Sequence, residues 1–230
     1  MNDYVRDLPY DWQTLVENVA DPSHVPFAHH GVQGSRDRAS PLAIEITESS
    51  PERIIAEVKR SFPSTITFDP PCRREYPLTL GSEEKRIGLI TYCIPVAPGK
   101  SRIVAQFARN FALRAHYLIP RWWEHIRTRN QVLDGDMILL HSQEAALAQK
   151  GHWKTAYTMP TRAARLVIEF RKWFEKYCQS QLPWQGIGSE ISSPSAIETR
   201  RDVLLDRYHQ HTQHCQSCQG ALKRIHQLQR

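Results

Sequence analysis

The chain has 230 residues, of which 40% are hydrophobic and 23% are charged, and its formal net charge is +6. These fractions are typical of a globular protein and exclude disordered, collagen-like and fibrous chains. Lysine and arginine are interleaved with aspartate and glutamate, so the positive charge does not indicate nucleic-acid binding. No apolar segment approaches the ~20 residues of a membrane-spanning helix, and the first residues do not resemble a secretory signal. The five cysteines, an odd number, indicate a reducing compartment such as the cytoplasm rather than a disulfide framework.

Hydrophobic periodicity predicts a helix and then a sheet in the first half of the chain. Apolar residues recur at helical spacing over residues 10–20. Between residues 42 and 112 the period changes to two, as in Ile54, Ala56 and Val58, and Pro/Gly pairs interrupt the pattern. Short alternating segments of this kind are typical of an antiparallel sheet with one covered face.

Helices are predicted again in the second half. Pro120 suits the first turn of a helix that begins near Arg121 and whose pattern reaches about Gln149. A second amphipathic helix is predicted near residues 161–179, and residues 180–198 have the composition of a linker. The order of helix, sheet and long helices predicts an α+β fold with helices packed on one sheet face.

Two histidines five residues apart, His24 and His29, follow the first predicted helix, and Asp21 precedes them. Neutral imidazoles bind iron, zinc or copper, and a nearby carboxylate can orient an imidazole by accepting its second N–H. Two histidines make only half of a metal site. Ordinary hydrogen-bonded loop histidines are therefore an alternative interpretation.

A third candidate ligand lies on the helix predicted after Pro120. The helical stripe through residues 133–147 carries three leucines together with Asp136 and Gln143. A carboxylate on an apolar stripe is costly unless it is paired or bound to a metal. The alternative is a buried face that runs instead through Met137 and Glu144.

Convergence of His24, His29 and Asp136 would form the two-histidine, one-carboxylate triad of non-haem Fe(II) oxygenases. Such a triad leaves coordination positions open for O₂. The spacing Asn18-x-x-Asp21-x-x-His24-x4-His29, followed by Asp136, resembles the mononuclear-iron motif of Rieske-type oxygenase catalytic domains.

Three segments resemble one particular branch of that family. Residues 17–31, residues 133–137 and the late Cys215-x-x-Cys218 pair are similar to the pheophorbide a oxygenase branch of that family. The resemblance implies a helix-grip fold, in which an antiparallel β-sheet is packed on long C-terminal helices. It also implies a mononuclear-iron catalytic domain over residues 1–180, and a linker with a His/Cys-rich tail over residues 181–230.

The same resemblance assigns the candidate site residues. His24, His29 and Asp136 would ligate Fe(II), and His29 is preferred to its neighbour His30 because the four-residue gap matches the family.

Three further residues would support the iron site. Asp21 would link an iron histidine to a neighbouring Rieske cluster and conduct electrons between subunits, and Asn18 and Gln143 would lie close to the iron.

A [2Fe–2S] Rieske cluster needs two cysteines and two histidines at fixed spacing, and no cysteine of this chain has a histidine at the required offset. The cluster is therefore expected on a partner, with a Rieske protein or ferredoxin as electron donor. The implied activity is an O₂-dependent monooxygenase that acts on a chlorophyll-derived tetrapyrrole, of the pheophorbide a or chlorophyllide type. A homotrimer and association with a plastid or thylakoid membrane are further expectations. The alternatives are a non-catalytic tetrapyrrole- or lipid-binding protein and a redox-regulated assembly factor.

The tail carries His209, His211 and His214 just before Cys215 and Cys218. These groups could hold zinc through both cysteines and two histidines. The resemblance favours instead a redox-active dithiol, which a thioredoxin could reduce. A flexible polar tail is the third interpretation.

Overall fold

The computed structural model describes residues 2–60, 63–81, 84–178, 198 and 200–229. Its centre is a seven-stranded antiparallel sheet in the order β1-β7-β6-β5-β4-β3-β2. The strands are β1 (Asn2–Leu8), β2 (Ala43–Ser49), β3 (Ile54–Lys59), β4 (Ser64–Asp69), β5 (Arg73–Thr79), β6 (Arg86–Ala97) and β7 (Lys100–Arg109).

Helices lie between β1 and β2 and follow β7. The α-helices are α1 (Trp12–Ala20), α2 (Val25–Ala28), α3 (Ala115–Leu118), α4 (Arg121–Glu124), α5 (Asn130–Lys150), α6 (Trp153–Ala156), α7 (Arg165–Tyr177), α8 (Arg201–Leu204), α9 (Arg207–Gln210) and α10 (Gln216–Leu228). Short 3₁₀ turns cover Pro22–His24, Arg36–Arg38, Arg162–Ala164 and Thr212–His214, and a π-helical turn covers His125–Arg129. The predicted α+β class is confirmed. None of the described helices combines the length and apolar character that a membrane span requires.

Strands β2 to β7 form a meander whose alternation follows the predicted period of two. In β3, for example, Ile54, Ala56 and Val58 are fully buried while the residues between them are only partly buried. Strand β1 was not predicted from the sequence, although it pairs with β7 along its whole length. Its buried face carries Arg6 between two apolar residues, and this charge interrupts the apolar pattern.

The helices cover one face of the sheet. Helix α1 lies against β6 and β7, and α7 lies against β2 and β3. Phe170 of α7 packs edge-to-face on Phe68 of β4, with ring centroids 5.5 Å apart. Helix α5 contacts both α1 and α2. The long helix after the sheet is therefore held against the short N-terminal helices.

The helical segment that starts at Arg121, as predicted, is not uniform. The π-helical turn at His125–Arg129 separates α4 from α5, and α5 ends at Gly151, whose φ of 72° closes the helix in the left-handed region. The predicted end near Gln149 is confirmed.

The C-terminal segment is folded onto the sheet, so the interpretation as a flexible polar tail is wrong for residues 200–229. The Gln210 side-chain oxygen accepts a hydrogen bond of 2.9 Å from Arg6 Nε of β1. Arg207 Nε donates to Asp134 Oδ2 of α5 over 2.8 Å. The predicted linker falls almost entirely outside the described residues. The division of the chain at residue 180 stays a prediction.

Candidate functional site

The first two members of the site, His24 and His29, are placed by a turn that follows α1. Asp21 caps the 3₁₀ turn by accepting the backbone N–H of Ser23 over 2.8 Å, and the single turn of α2 then leads to His29. The two imidazoles consequently face each other. Their Nε2 atoms are 3.3 Å apart and their ring planes lie at 84°.

Asp136 of α5 supplies the third group. Its Oδ1 lies 3.5 Å from His24 Nε2 and 3.3 Å from His29 Nε2. The side chains of His29 and Asp136 are 2% and 3% exposed, whereas that of His24 is 18% exposed. The structure therefore brings together the three residues that the sequence singled out, and one edge of the cluster remains accessible.

Burial sets the protonation states of these groups. It lowers the pKa of His29 to about 4, with a further contribution from neighbouring His24. It also lowers the pKa of His24, against the opposing charge of Asp21. Burial raises the pKa of Asp136 to about 7, and a hydrogen bond from the Asn18 side chain opposes this shift. Both imidazoles are thus neutral at pH 7, which is the form that binds metal ions.

The donor set fits a divalent cation. Among the described residues, no hydrogen-bond donor satisfies the buried Oδ1 of Asp136, the atom that faces both imidazoles. A buried carboxylate oxygen without a partner is costly, and a bound cation would remove that cost. Two imidazole nitrogens and one carboxylate oxygen form the ligand set typical of non-haem iron sites.

The close approach of α5 to α2 depends on Gly135. A Cβ atom at this position would lie 2.7 Å from the Ala28 carbonyl oxygen and 3.6 Å from His29 Nδ1. Only glycine leaves room for the backbone contact that holds Asp136 against His29. A glycine inside a helical pattern was the available signal for this contact.

Two of the remaining predicted residues, Asn18 and Asp21, lie beside the triad, whereas His30 lies outside it. Asn18 bonds through its side chain to Asp136, and Asp21 is close enough to His24 to influence its pKa. His30 is exposed, and its Nδ1 accepts the backbone N–H of Arg36 over 3.1 Å. The geometry therefore selects His29 over His30 as the member of the cluster.

Gln143 takes part in a different network. Its side-chain amide donates to Glu17 Oε2 over 2.7 Å and to the Tyr157 hydroxyl over 2.8 Å. Glu17 is also paired with the buried Arg171. Gln143 comes seven positions after Asp136 in the helix, about 10 Å further along the axis. A position of Gln143 beside the metal stays a prediction, and its described contacts tie α5 to α1 and α7.

Arg74 is a buried cation that sequence reasoning overlooked. It shares the core face of β5 with Tyr76, and its guanidinium carbon lies 4.7 Å from the Tyr76 ring centroid. Burial lowers the pKa of Arg74 to about 10, and its charge in turn contributes to the lowered pKa of His24. Its spacing of two and four residues from Tyr76 and Leu78, which places the three on one face of a strand, was the signal.

A second cluster of potential ligands lies in the C-terminal region. Cys215 and Cys218 meet His211 of the same segment and His125 of the π-helical turn. Sequence reasoning considered the two cysteines with tail histidines and overlooked His125, because it is separated from them by about 90 residues.

Comparison with known proteins agrees with this architecture. A family model for pheophorbide a oxygenase matches residues 68–154. A chloroplastic pheophorbide a oxygenase of Oryza sativa subsp. japonica is 38% identical over 98% of this chain and 46% of its own length. Flavonoid 8-hydroxylase 2 of Ocimum basilicum, also chloroplastic, is 34% identical over 97% of this chain and 46% of its own length. The chain thus spans about half the length of these relatives.

Among solved structures, NdmA of Pseudomonas putida CBB5, in a mutant form with theobromine, has a similar fold. Its TM-score is 0.58 at 19% sequence identity, covering 88% of this chain and 53% of the other. The fold is that of the catalytic domain of Rieske-type oxygenases. Within that class, the chain is similar to the pheophorbide a oxygenase family, whose model matches residues 68–154 and whose rice member aligns with this chain over 46% of its own length.

Proposed function

We propose that this chain is the iron-binding catalytic region of an O₂-dependent Rieske-type monooxygenase. The observation that carries the proposal is the convergence of His24, His29 and Asp136, whose facing atoms lie 3.3 to 3.5 Å apart. Fe(II) held by two imidazoles and one carboxylate keeps coordination positions open, and this property allows enzymes of the class to activate O₂.

The neighbouring side chains have distinct roles in this proposal. Asn18 orients the Asp136 carboxylate through its hydrogen bond. Asp21 lies at the start of the turn that carries His24, and we assign it the link between the metal site and a Rieske cluster on a partner. A Rieske protein or ferredoxin supplies the electrons.

We propose a chlorophyll-derived tetrapyrrole of the pheophorbide a or chlorophyllide type as substrate. The support is the family match together with the relative from rice. A flavonoid is the second candidate, because a relative of similar identity is named a flavonoid hydroxylase. A plastid location is proposed on the same basis, since both relatives are chloroplastic.

Metal analysis tests the ligand assignment. After anaerobic reconstitution with Fe(II), the purified chain should hold about one iron at the triad. Replacement of His24 or Asp136 by alanine should abolish iron binding. His30→Ala is the matched control, because this adjacent histidine is exposed and bonded to Arg36. Iron retained in Asp136→Ala would refute the assignment.

Nitric oxide, a stand-in for O₂, tests both the open position and the substrate class without an electron donor. The Fe(II) form should give the EPR signal of an iron–nitrosyl complex. Pheophorbide a should change that signal, whereas a flavone of comparable concentration should not. The reverse pattern would favour the flavonoid activity, and no response to either compound would contradict both substrate classes.

A further inference from the structure

We propose that His125, His211, Cys215 and Cys218 form a second metal centre, a closed four-ligand site for Zn²⁺. Cys218 Sγ lies 3.3 Å from His211 Nε2 and 3.5 Å from His125 Nδ1, and Cys215 Sγ lies 3.6 Å from the same Nδ1. All four ligand atoms lie within 4.8 Å of one another. This cluster shares no residue with the triad.

These separations match tetrahedral zinc coordination. Zinc binds thiolate sulfur at ~2.3 Å and imidazole nitrogen at ~2.0 Å, so a sulfur and a nitrogen on one zinc ion lie about 3.5 Å apart. The three sulfur–nitrogen distances, 3.3 to 3.6 Å, agree with this value. The side chains therefore surround a point at which a zinc ion would fit.

The orientation of His211 also favours a metal ligand. Its Nδ1 lies 2.6 Å from the backbone carbonyl oxygen of Val5 in β1. A carbonyl only accepts hydrogen bonds, so Nδ1 carries the proton and the neutral ring presents the lone pair of Nε2 to the cluster. A second hydrogen bond that fixes the tautomer is typical of metal-binding histidines. Tyr4 stacks on the same imidazole at 4.5 Å between centroids and shields it.

The two cysteines are placed by the start of α10. Cys215 caps this 13-residue helix, and Cys218 lies in its first turn, so both sulfur atoms lie at the positive end of the helix dipole. Burial raises the pKa of the Cys218 thiol to about 12, and coordination by a bound metal ion would deprotonate it. Two thiolates with two imidazoles form a set common in structural zinc sites, and soft thiolate ligands discriminate against magnesium and calcium.

Four protein ligands leave no position open for a substrate, so the centre is structural. Its ligands come from the C-terminal segment and from the π-helical turn that precedes α5, while His211 is anchored on β1. A bound zinc ion would therefore fasten residues 207–218 to the start of the helix that carries Asp136. The hydrogen bond from Arg207 to Asp134 joins the same two regions of the chain.

The competing interpretation is a redox pair. A disulfide between Cys215 and Cys218 would remove both thiolate ligands, so one pair of sulfur atoms cannot at once be disulfide-bonded and hold zinc as proposed. Zinc content and the state of the thiols therefore discriminate between the two.

The experiment measures zinc in the full chain, purified under reducing conditions and reconstituted with Zn²⁺. We expect one zinc ion per chain that is bound by this cluster. Cys218→Ser should lower zinc affinity by more than about 100-fold, because residues that only orient a ligand typically account for about 10- to 100-fold. Matched controls are Cys72→Ser, a cysteine outside the cluster, and His214→Ala, an exposed tail histidine. His24→Ala should keep this zinc, because the triad is separate.

Cobalt substitution provides a readout that does not depend on any variant. Co²⁺ in the unaltered chain should show a thiolate-to-cobalt charge-transfer band and the intense visible bands of tetrahedral coordination, whereas the triad contains no sulfur. A missing thiolate band would overturn the proposal, as would a zinc content of Cys218→Ser equal to that of the unaltered chain. Cysteines isolated as a disulfide that bind no zinc after reduction would also overturn it and support the redox pair.

Discussion

The triad and the C-terminal cluster are built from overlapping residue types but differ in ligand number and chemistry. The triad joins two imidazoles to one carboxylate, and His24 keeps its side chain partly accessible. The C-terminal cluster joins two imidazoles to two thiols, and three of its four residues are buried. Three ligands with an accessible edge suit chemistry at an open coordination position, whereas four ligands suit a closed structural site.

The two clusters also differ in how the chain assembles them. His24 and His29 come from one short turn, and only Asp136 is contributed from a distance. The C-terminal cluster needs His125 from the π-helical turn, which lies about 90 residues before the cysteines. Asp136 thus completes a local pair in the triad, and His125 completes a local set of three in the C-terminal cluster. Helix α5 and the turn before it therefore connect the two clusters.

Metal removal should have the largest effect and should separate the clusters. Loss of zinc from the C-terminal cluster should lower the free energy of unfolding by about 4 kcal/mol when the free metal is at 1,000 times its Kd. For a chain of this size, that corresponds to roughly 10 °C in melting temperature. Limited proteolysis should then cleave the C-terminal segment. Calorimetry and proteolysis with chelator measure both effects.

The controls use one variant for each cluster. Asp136→Ala, without iron, should keep the C-terminal segment resistant to protease, while Cys218→Ser should lose that resistance and keep iron. Release of the C-terminal segment by iron removal alone would show that the two clusters are not independent.

A second comparison lies within α5, which carries two buried carboxyl groups. Burial raises the pKa of Glu144 to about 7, as it does for Asp136. Glu144, however, accepts the backbone N–H of Asp11 and a hydrogen bond from Thr14 instead of facing imidazoles. We expect it to act on stability and not on metal binding.

Stability depends on pH wherever the pKa of a group differs between the folded and the unfolded chain. Because the folded pKa of Glu144 lies above the ordinary 4.5, its contribution to stability decreases as pH rises from about 4.5 to about 7. Glu144→Gln should abolish that decrease, and at pH 8 it should stabilise the fold by on the order of 2 to 3 kcal/mol. Urea unfolding across pH measures the change, with the exposed Glu48→Gln as control. A parallel pH profile for wild type and Glu144→Gln would contradict this account.

Sequence reasoning succeeded where the determining interactions are local. Alternation in β3 and the spacing from Asn18 to His29 are visible over a few residues, and both predicted placements agree with the structure. The stripe containing Asp136 and the alternative face through Met137 are both buried, because α1 and α2 pack on α5 across a wide face.

The features that escaped prediction depend on long-range packing. Strand β1 is stabilised by pairing with β7, and its buried Arg6 is paired with Asp134 of α5 over 2.7 Å and donates to the Gln210 side chain of the C-terminal segment. His125 gains significance only when the C-terminal segment is placed beside the π-helical turn. No local pattern contains these contacts.

Gly135 offers a smaller perturbation of the triad. Alanine here would press its Cβ against the Ala28 carbonyl, so we expect a loss of about 1 to 3 kcal/mol of stability and weaker iron binding. Gly220→Ala is the matched control, because this glycine also lies inside a helix but has open space around its Cβ position. The free energy of unfolding of Gly220→Ala should rise by up to about 1 kcal/mol. Denaturant unfolding and iron titration measure both variants, and equal behaviour of the two would contradict the packing argument.

The smallest expected effect concerns Asn18, which touches Asp136 without being a candidate ligand. Asn18→Ala removes the hydrogen bond that favours the ionised carboxylate, so iron affinity should fall by about 10-fold, the low end for residues that orient a metal ligand. Zinc content at the C-terminal cluster should not change. Anaerobic iron titration gives the affinity and elemental analysis gives the zinc. Because Asn18→Ala leaves His24, His29 and Asp136 in place, a complete loss of iron would mean that Asn18 is itself a ligand, and the triad would then no longer be a three-ligand site.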